Sequence, residues 1–423
     1  MNKTIKNIGF ISSRISGIDG VSHEIEKWAA ILERNGYSCY YCAGEIDRDP
    51  ELRFILDEAH FKHPDIMLIN RSVLGKTTRP REITDLIRRL SGRIKEKLDQ
   101  FIDAFGIDCI IAENSLAIPM NIPLGVALTE LIAETGIPTV AHHHDFAWER
   151  ERYLVNAAGD FIQMSFPPAF PTVEHVVINS LAQASLSFRR GVSSTIIPNT
   201  FDFDNPFKPA AGDIIRRIRR ESGIADGEYF ILQPTRVVPR KCIERSIDLV
   251  RRLPGSGSKL VISHPTGDEG EEYYRKLRDY AEMNEVELRF IDCLVSPGRS
   301  ASRERPYTIG DVYQAADLVT YPSAYEGFGN AFLESIYFRK PLVVNRYPVF
   351  IADIEIHGFD HIRIDGFVTG ETVRGVEQIL ADDDLRRRKA ESNYLIAREH
   401  FSYERLEKTL LSVVQRLKPL SPS

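Results

Sequence analysis

The chain has 423 residues, of which 43% are hydrophobic, and its 54 basic and 60 acidic residues give a formal net charge of -6. This length exceeds one ordinary core and suits two domains of about 200 residues each. The slightly acidic balance argues against a nonspecific nucleic-acid binder, which needs a strongly basic surface. We find no apolar run of the roughly 18 residues that span a membrane and no signal-peptide pattern, so we expect a cytoplasmic protein. The five cysteines are too few for a disulfide framework.

The first half of the chain alternates apolar strands with amphipathic helices. A glycine-containing loop follows the first strand, and an Asn-Gly pair at 35–36 ends the first helix. The predicted strands are 8–11, 38–42, 109–111 and 138–141, and the predicted helices are 21–32, 86–105 and 125–134. Strands that alternate with helices predict a parallel, doubly wound sheet.

The second half repeats this pattern without repeating the sequence. Its predicted strands are 229–233, 259–263, 287–291, 318–321 and 341–345, and its predicted helices are 242–253, 271–283, 333–338 and 403–417. Three prolines between 198 and 212 indicate the boundary between the halves. We therefore predict a first domain at residues 1–205, a second at 206–390 and a C-terminal helical segment at 391–423.

One segment after a predicted strand suits a phosphate and sugar ligand. Residues 326–334 read Glu-Gly-Phe-Gly-Asn-Ala-Phe-Leu-Glu. Gly327 and Gly329 let the backbone approach a ligand closely, and the helix that starts nearby offers free N–H groups to a diphosphate. Glu326 and Glu334 can accept hydrogen bonds from sugar hydroxyls. A glycine turn followed by an exposed capping glutamate would explain the same residues, so this segment alone leaves both interpretations open.

A second segment carries the positive charge that such a ligand needs. Arg236 and Lys241 come shortly after the predicted strand 229–233. Ligands of open parallel sheets bind at the carboxyl ends of the strands. Two cations at that edge would stabilise the charge that develops on a leaving diphosphate.

Taken together, these residues resemble the signature of the family-four retaining glycosyltransferases. The match includes Arg236, Lys241 and the spacing of Glu326 to Glu334, and it extends to Ile-Pro-Asn at 197–199 and Phe-Ser-Tyr-Glu at 401–404. The resemblance implies the α/β GT-B fold, in which two Rossmann-like domains face each other across a cleft. It further implies that the first domain binds the acceptor, that the second binds a nucleotide sugar and that the C-terminal segment returns to the first domain.

The resemblance also assigns roles to single residues. It implies that Arg236 and Lys241 hold the donor diphosphate, that Glu326 contacts the transferred hexose and that Glu334 contacts the ribose. The first loop, Gly-Ile-Asp-Gly-Val at 17–21, resembles the family's glycine-rich loop near the donor phosphates. The implied reaction retains the anomeric configuration without a protein nucleophile, because the donor phosphate assists the incoming hydroxyl. The predicted donor-binding residues are Gly20, Arg236, Lys241, Glu326, Gly327, Phe328, Gly329, Asn330 and Glu334.

The three histidines at 142–144 end another predicted strand. Residues 137–145 resemble the family's strand that ends in a histidine-aspartate pair, which implies that His144 lies at the active site. His144 therefore joins Glu326, Arg236 and Lys241 as a candidate catalytic residue. Side chains alternate along a strand, so His142 and His144 can share one face. Zinc would need at least one further ligand, and we predict no metal site.

A narrower resemblance concerns the acceptor. Residues 16–24 and 142–150 resemble enzymes that build mannosylglucosylglycerate-type compatible solutes. This implies transfer of mannose or glucose, from a GDP- or UDP-hexose, to a small anionic acceptor such as a glucosylglycerate-type compound, with no other cofactor and no nucleic-acid partner. Guanidinium groups suit a carboxylate. The predicted acceptor-binding residues are Arg14, Asp19, Asp145, Arg150 and Arg152.

Two other functions fit the same fold. A nucleotide-sugar epimerase or a phosphorylase would use a related donor site, and an epimerase would change its donor without an acceptor. A non-catalytic protein that binds sugar nucleotides would show no turnover. The presence of Arg236, Lys241, Glu326 and Glu334 together argues against loss of catalysis.

Overall fold

The computed structural model describes residues 5–17, 20–254, 257–266, 271–296, 302 and 305–417. These residues divide into two compact units, one made of the residues up to Pro198 and from Leu406 onwards, the other of Asn199–Arg405. Each unit alternates strands with helices around a parallel sheet. Among the described residues, no helix is both long and apolar enough to cross a membrane.

The first unit is built on a sheet with seven strands in its described part. They are β1 (Asn7–Ile11), β2 (Ser38–Ala43), β3 (Arg53–Ile55), β4 (Cys109–Glu113), β5 (Thr139–His143), β6 (Val173–Val177) and β7 (Ser194–Ile196). Their order is β3-β2-β1-β4-β5-β6-β7, and all neighbours are parallel. The chain starts in the middle, runs to one edge and returns beside β1, which is the doubly wound topology.

Helices cover both faces of this sheet. They are α1 (Gly20–Arg34), α2 (Pro64–Val73), α3 (Arg81–Phe105), α4 (Ile122–Thr135), α5 (Glu151–Leu154), α6 (Gly159–Ser165) and α7 (Ser180–Arg190). The Asn121 side chain caps α4 by accepting a hydrogen bond from the Leu124 N–H at 3.0 Å, and Gly136 ends the helix at a φ of 63°. These local signals set the length of the helix that precedes β5.

The second unit has six strands in its described part. They are β8 (Tyr229–Gln233), β9 (Ser258–Ile262), β10 (Leu288–Phe290), β11 (Leu318–Tyr321), β12 (Leu342–Asn345) and β13 (Ile362–Ile364). Their order is β10-β9-β8-β11-β12-β13, again parallel throughout. The helices of this unit are α8 (Gly212–Glu221), α9 (Ile243–Arg252), α10 (Glu271–Met283), α11 (Ile309–Ala315), α12 (Asn330–Tyr337), α13 (Gly370–Ala381) and α14 (Asp383–Phe401). They are followed by α15 (Tyr403–Arg416), which from Leu406 onwards belongs to the first unit.

The last helix, α15, packs its apolar side into the core of the first unit. Leu406, Leu410 and Val413 are buried in the same cluster as Trp28 of α1. This burial of apolar area removes side chains from water, which is the main stabilising term in folding. The C-terminal helix is therefore part of the first unit's core.

The strand order indicates one candidate ligand-binding position in each sheet. Strand order reverses between β1 and β4 in the first unit and between β8 and β11 in the second. In open parallel sheets the crevice for a ligand forms at the carboxyl ends of the strands at such a switch point. The predicted α/β class with two Rossmann-like parts is confirmed.

Candidate active site

Two loops of the second unit meet at its switch point. The loop after β8 carries Arg236 and Lys241, and the loop after β11 carries Glu326. Because β8 pairs with β11, these loops lie at the same edge of the sheet. Arg236 is exposed, whereas Lys241 is only 8% exposed.

Glu326 is held by two cations from the neighbouring loop. Arg240 Nη1 donates to Glu326 Oε2 at 2.7 Å, and Lys241 Nζ contacts Oε1. Burial alone would raise the pKa of Glu326, but the charges of Lys241 and Arg240 outweigh burial and lower that pKa. Burial also lowers the pKa of Lys241, against the opposing charge of Glu326. A carboxylate with a lowered pKa is a weak base and a good acceptor of hydrogen bonds from hydroxyls.

Gly329 allows the turn into α12. Its φ is 131°, and a Cβ atom at this position would lie 2.6 Å from Tyr347 Oη. That hydroxyl donates to the carbonyl of Phe328 at 2.5 Å, and the Phe328 side chain is buried. The turn leaves the N-terminus of the eight-residue α12 beside Gly327 and Gly329.

Two further predicted donor-binding residues lie on α12 and already have partners. Asn330, at the first position of the helix, accepts a hydrogen bond from Asn199 Nδ2 at 2.6 Å. Glu334 accepts one from the buried Tyr313 hydroxyl at 2.8 Å. These bonds fix the orientation of both side chains on the helix.

Gly20, the donor-binding residue predicted in the first unit, is the first residue of α1. Among the described residues other than its chain neighbours, no heavy atom lies within 4 Å of the place where a Cβ atom would stand. The described residues therefore leave open space beside Gly20. The predicted acceptor-binding residue Asp19 lies outside the described residues.

A buried glutamate lies between two of the three histidines. Glu113 ends β4 beside His142 of β5. The Oε1 atom of Glu113 lies 2.5 Å from His144 Nε2, with which it forms a hydrogen bond, and 2.9 Å from His142 Nδ1. The His142 ring stacks on Trp28, with ring centroids 4.2 Å apart. Burial alone would raise the pKa of Glu113, but the two histidines lower it to about 2.

Among the residues that the structure describes, Glu113, His142 and His144 have donor atoms within 4.8 Å of one another, as a metal site requires. Two ligands of a tetrahedral zinc ion, each about 2.0–2.2 Å from it, would lie about 3.3 Å apart. The separations of 2.5 and 2.9 Å from Glu113 Oε1 are shorter than this. The arrangement fits hydrogen bonding better than shared coordination of one ion.

His143 points to the other face of the sheet, as the alternation of side chains along a strand predicts. Its Nε2 lies 3.0 Å from Nδ1 of His175, and both rings are buried. Burial lowers the pKa of His143 well below its ordinary value, and burial together with Arg190 lowers that of His175 to about 4. This pair is therefore neutral near pH 7, unlike the cluster on the opposite face.

Asp145 and Arg150, both predicted to bind the acceptor, form an ion pair with each other. Asn114, which follows β4, donates to Asp145 Oδ1 at 3.3 Å and accepts from the His144 N–H at 3.2 Å. The Arg150 side chain is 44% exposed. A solvent-accessible guanidinium is thus linked to the His144 backbone through two intervening residues, Asn114 and Asp145.

The other two predicted acceptor arginines contact aromatic rings. The Arg14 guanidinium lies 5.5 Å from the Phe61 ring centroid, and that of Arg152 lies 4.5 Å from the Tyr153 ring centroid. Arg14 follows β1, and Arg152 belongs to α5, which follows β5. Both residues therefore come after carboxyl ends of strands in the first unit.

Two charged residues of these clusters are missing from the sequence prediction. Glu113 is the last residue of an apolar strand. A charged residue at the carboxyl end of a strand is the signal that identified Arg236, and the same signal identifies Glu113. Arg240 is adjacent to Lys241, and only the three-dimensional structure shows that it contacts Glu326.

Comparisons with known proteins agree with this architecture. The family model described as Glycosyl transferases group 1 matches residues 214–395. The mannosylglucosylglycerate synthase of Thermotoga maritima is 31% identical, over 95% of this chain and 98% of that protein. The synthase of the same name from Petrotoga mobilis is 29% identical, over 98% of each chain.

Solved structures show the same fold at low sequence identity. Sucrose-phosphate synthase from Thermosynechococcus elongatus has a TM-score of 0.69 and 14% identity, over 97% of this chain and 99% of that one. The Anabaena protein HepE, solved with UDP and glucose, has a TM-score of 0.66 and 15% identity, over 98% of this chain and 100% of that one. With a relative above 30% identity along nearly its whole length, this chain belongs to the glycosyl transferases group 1, the family-four retaining glycosyltransferases of GT-B fold that use nucleotide-sugar donors.

Proposed function

We propose that this glycosyltransferase moves a hexose, mannose or glucose, from a GDP- or UDP-sugar to a hydroxyl of a small anionic acceptor. The acceptor we propose is a glucosylglycerate-type compound. The two relatives named mannosylglucosylglycerate synthase support this choice, because their similarity extends over at least 95% of this chain. The anomeric configuration of the donor is retained.

The observation that carries the donor side of the proposal is the cluster of Lys241, Arg240 and Glu326 at the switch point. Both cations lie within hydrogen-bond distance of the carboxylate, and the cluster of two cations and one carboxylate has a net charge of one positive unit. Such a cluster suits a diphosphate, and the start of α12 adds free N–H groups nearby. We assign the diphosphate to Arg236 and Lys241, the hexose to Glu326 and the ribose to Glu334.

The other predicted donor residues of the second unit lie beside this cluster in the sequence. Gly327, Phe328, Gly329 and Asn330 contribute backbone groups and space rather than charge, and Gly20 of the first unit stays a prediction. Glu326 accepts hydrogen bonds from hexose hydroxyls, since two cations keep it ionised. Because it is a weak base, it orients the sugar and does not remove a proton from the acceptor.

The acceptor side of the proposal rests on the first unit. We assign the acceptor to Arg14, Asp19, Asp145, Arg150 and Arg152, with His144 beside them as a candidate catalytic residue. The guanidinium of Arg150 is accessible to solvent and is oriented by Asp145. A guanidinium and a carboxylate can form two parallel hydrogen bonds, which favours an acid over a neutral acceptor of similar size.

The test compares glucosylglycerate with glucosylglycerol, which has a similar size and no carboxylate. Each is incubated with GDP-mannose or UDP-glucose, and the specificity constants are measured. We expect about tenfold or more preference for the acid, since a hydrogen bond to a charged group contributes about 1.5–3 kcal/mol. In Arg150→Ala this preference should fall, whereas Arg81→Ala, which removes a 91% exposed arginine of the same unit, should retain it.

Three results would contradict the proposal. Equal specificity constants for both acceptors, unchanged in Arg150→Ala, would point to a neutral acceptor. Conversion of the donor without an acceptor would indicate an epimerase. Binding of nucleotide sugars with no turnover of any of them would indicate a non-catalytic binding protein.

A further inference from the structure

The Glu113 carboxylate is fully buried at the carboxyl end of β4, with a relative exposure of 0%. Among the described residues, its ionic partners are His142 and His144, and no lysine or arginine pairs with it. An ionised carboxylate in such a position requires a positive partner or several hydrogen bonds, because burial of an isolated charge costs a great deal. A proton on one of the two imidazoles supplies that charge.

Geometry identifies His144 as the imidazole that carries the proton. Its Nε2 lies 2.5 Å from Glu113 Oε1 in a hydrogen bond, whereas His142 Nδ1 lies 2.9 Å from the same oxygen and forms no hydrogen bond with it. The hydrogen bond therefore joins the carboxylate to the imidazole of His144 and not to that of His142. The His144 side chain is also the more exposed of the two, at 15% against 1%.

The charges that face His144 come from three elements. Glu113 lies on β4, Glu24 lies on α1, and His142, His143 and Asp145 lie on β5 or the residues after it. Burial alone would lower the pKa of His144, but Glu113, Glu24 and Asp145 outweigh burial and raise it. The charges around His144 and the geometry of its hydrogen bond therefore both favour the protonated ring.

We propose that Glu113 is a positioning residue that holds His144 through Nε2 as an imidazolium, so that Nδ1–H can donate to an anionic oxygen of the bound substrate. In the neutral ring with its proton on Nε2, Nδ1 could only accept a hydrogen bond. The carboxylate thus selects both the ring orientation and the donor character of His144. This inference rests on the proposed function for the nature of the ligand, which is anionic on the donor side and on the acceptor side.

The first test measures the protonation of His144 directly and needs no turnover. NMR spectra of protein labelled with ¹³C at histidine Cε1 are recorded over a pH series, and His144→Gln identifies the resonance. We expect the wild-type midpoint to lie above the ordinary value of about 6.5 and Glu113→Gln to lower it by about one pH unit or more. The same midpoint in both proteins, or a wild-type value at or below the ordinary one, would overturn the inference.

A matched variant separates positioning from a loss of stability. Glu58→Gln removes another buried carboxylate of the first unit, one that pairs with Arg93 and Lys97. This variant should change stability without moving the His144 midpoint. In kinetics, the alkaline limb of the kcat/KM profile should move to lower pH in Glu113→Gln and stay in place in Glu58→Gln. Movement in both variants would count against a specific role of Glu113.

Two ligand titrations then determine which anion His144 contacts. GDP carries the donor's diphosphate, and glucosylglycerate carries the acceptor's carboxylate. The ligand that bonds to Nδ1–H should raise the midpoint in the wild type and have little effect in Glu113→Gln. No shift with either ligand would overturn the inference.

A metal measurement addresses the competing interpretation of the same cluster. One equivalent of zinc in the purified protein, lost from both His144→Gln and Glu113→Gln, would assign the three residues to a metal and overturn the inference. If the wild type transfers no hexose yet its His144 responds to a ligand anion as expected, the proposed function fails and the positioning role of Glu113 stands.

Discussion

Replacement of Lys241 by methionine tests the donor site most directly. The change keeps most of the length of the side chain and removes its charge from a position that is 8% exposed and in contact with Glu326. Loss of one stabilising group for developing charge typically costs about 3 kcal/mol of the barrier, which corresponds to a fall in kcat on the order of 100-fold. The fold should persist, because Arg240 still pairs with Glu326 at 2.7 Å. We expect the free energy of unfolding to fall by less than about 2 kcal/mol, below the cost of leaving a buried charge without any partner.

The matched control is Lys259→Met in the same unit. Lys259 has a nearly equal side-chain exposure, 12% against 10% for Lys241, and pairs with Glu228 at 3.0 Å and Glu287 at 3.3 Å. It lies near the amino end of β9, at the opposite edge of the sheet from the switch-point loops. Initial rates with nucleotide sugar and acceptor, together with urea unfolding of both variants, separate the two effects. Near-wild-type kinetics in Lys241→Met, or an equal loss in both variants, would refute the assignment of Lys241 to the diphosphate.

Three further predictions concern metal, stereochemistry and the glycine turn. Turnover should survive saturating EDTA, because Arg236 and Lys241 meet the diphosphate charge without a divalent ion; restoration of a lost activity by Mg²⁺ or Mn²⁺ would contradict this. An α-linked donor should give an α-linked product, and a β linkage in early NMR spectra would exclude retention. Gly329→Ala should lower the free energy of unfolding by about 1–3 kcal/mol or more in urea, since its φ is 131° and a Cβ would meet Tyr347. Gly227→Ala, where φ is 85° and no atom of the described residues other than its chain neighbours lies within 4 Å of the Cβ position, should cost less. Equal losses in both variants would show that contact with Tyr347 does not contribute to the cost.

A last prediction of this group concerns acid, and its sign follows from the pKa of Glu113. That pKa is lowered to about 2, so the ionised group stabilises the fold above its ordinary value near 4.5 and loses this effect as the pH falls toward 2. Urea unfolding across this window should show a smaller loss of stability on acidification in Glu113→Gln than in the wild type. Parallel curves for the two proteins would contradict the assignment.

Strong local patterns made much of the fold predictable. The strand Tyr229–Gln233, the helix Glu271–Met283 and the strand Leu318–Tyr321 have the predicted bounds. Each is a clear apolar or amphipathic run with turn signals at its ends. The strand Val173–Val177 was missed because Glu174 and His175 interrupt its apolar pattern, although pairing with β5 and β7 makes it an interior strand.

Helix starts were predicted less well. The helix Ile122–Thr135 begins three residues before the predicted start at 125, because Asn121 caps it and Pro123 suits its first turn. The helix Asn330–Tyr337 likewise begins before the predicted 333, directly after Gly329. In both cases the cap, rather than the apolar pattern, determines where the helix begins.

The sequence predicts where the charged residues of the candidate sites lie along the chain, but it does not predict which of them contact each other. Lys241 and Glu326 could be placed after strands, but their contact depends on β8 and β11 being neighbours in the sheet. Residues 234–317 lie between these two strands, so no local pattern shows that they pair. The contact of Glu113 with His144 depends in the same way on the register of β4 with β5. Charged residues at the ends of strands can be read from a sequence, whereas their partners follow from sheet order.

The last step concerns why a carboxylate belongs in a site for an anion. Glu326 would repel a diphosphate if it stood alone, yet Lys241 and Arg240 together carry twice its charge, so the cluster remains positive by one unit. The carboxylate also holds both cations in place before the ligand arrives, and such preorganised charge needs no rearrangement as the leaving group departs. This arrangement of buried charges lowers the free energy of unfolding that the site could otherwise have, since buried ion pairs contribute little to stability relative to apolar packing. The buried position of Lys241 and Glu326 is therefore better explained by the reaction than by the fold, which is why Lys241→Met should lower turnover far more than stability.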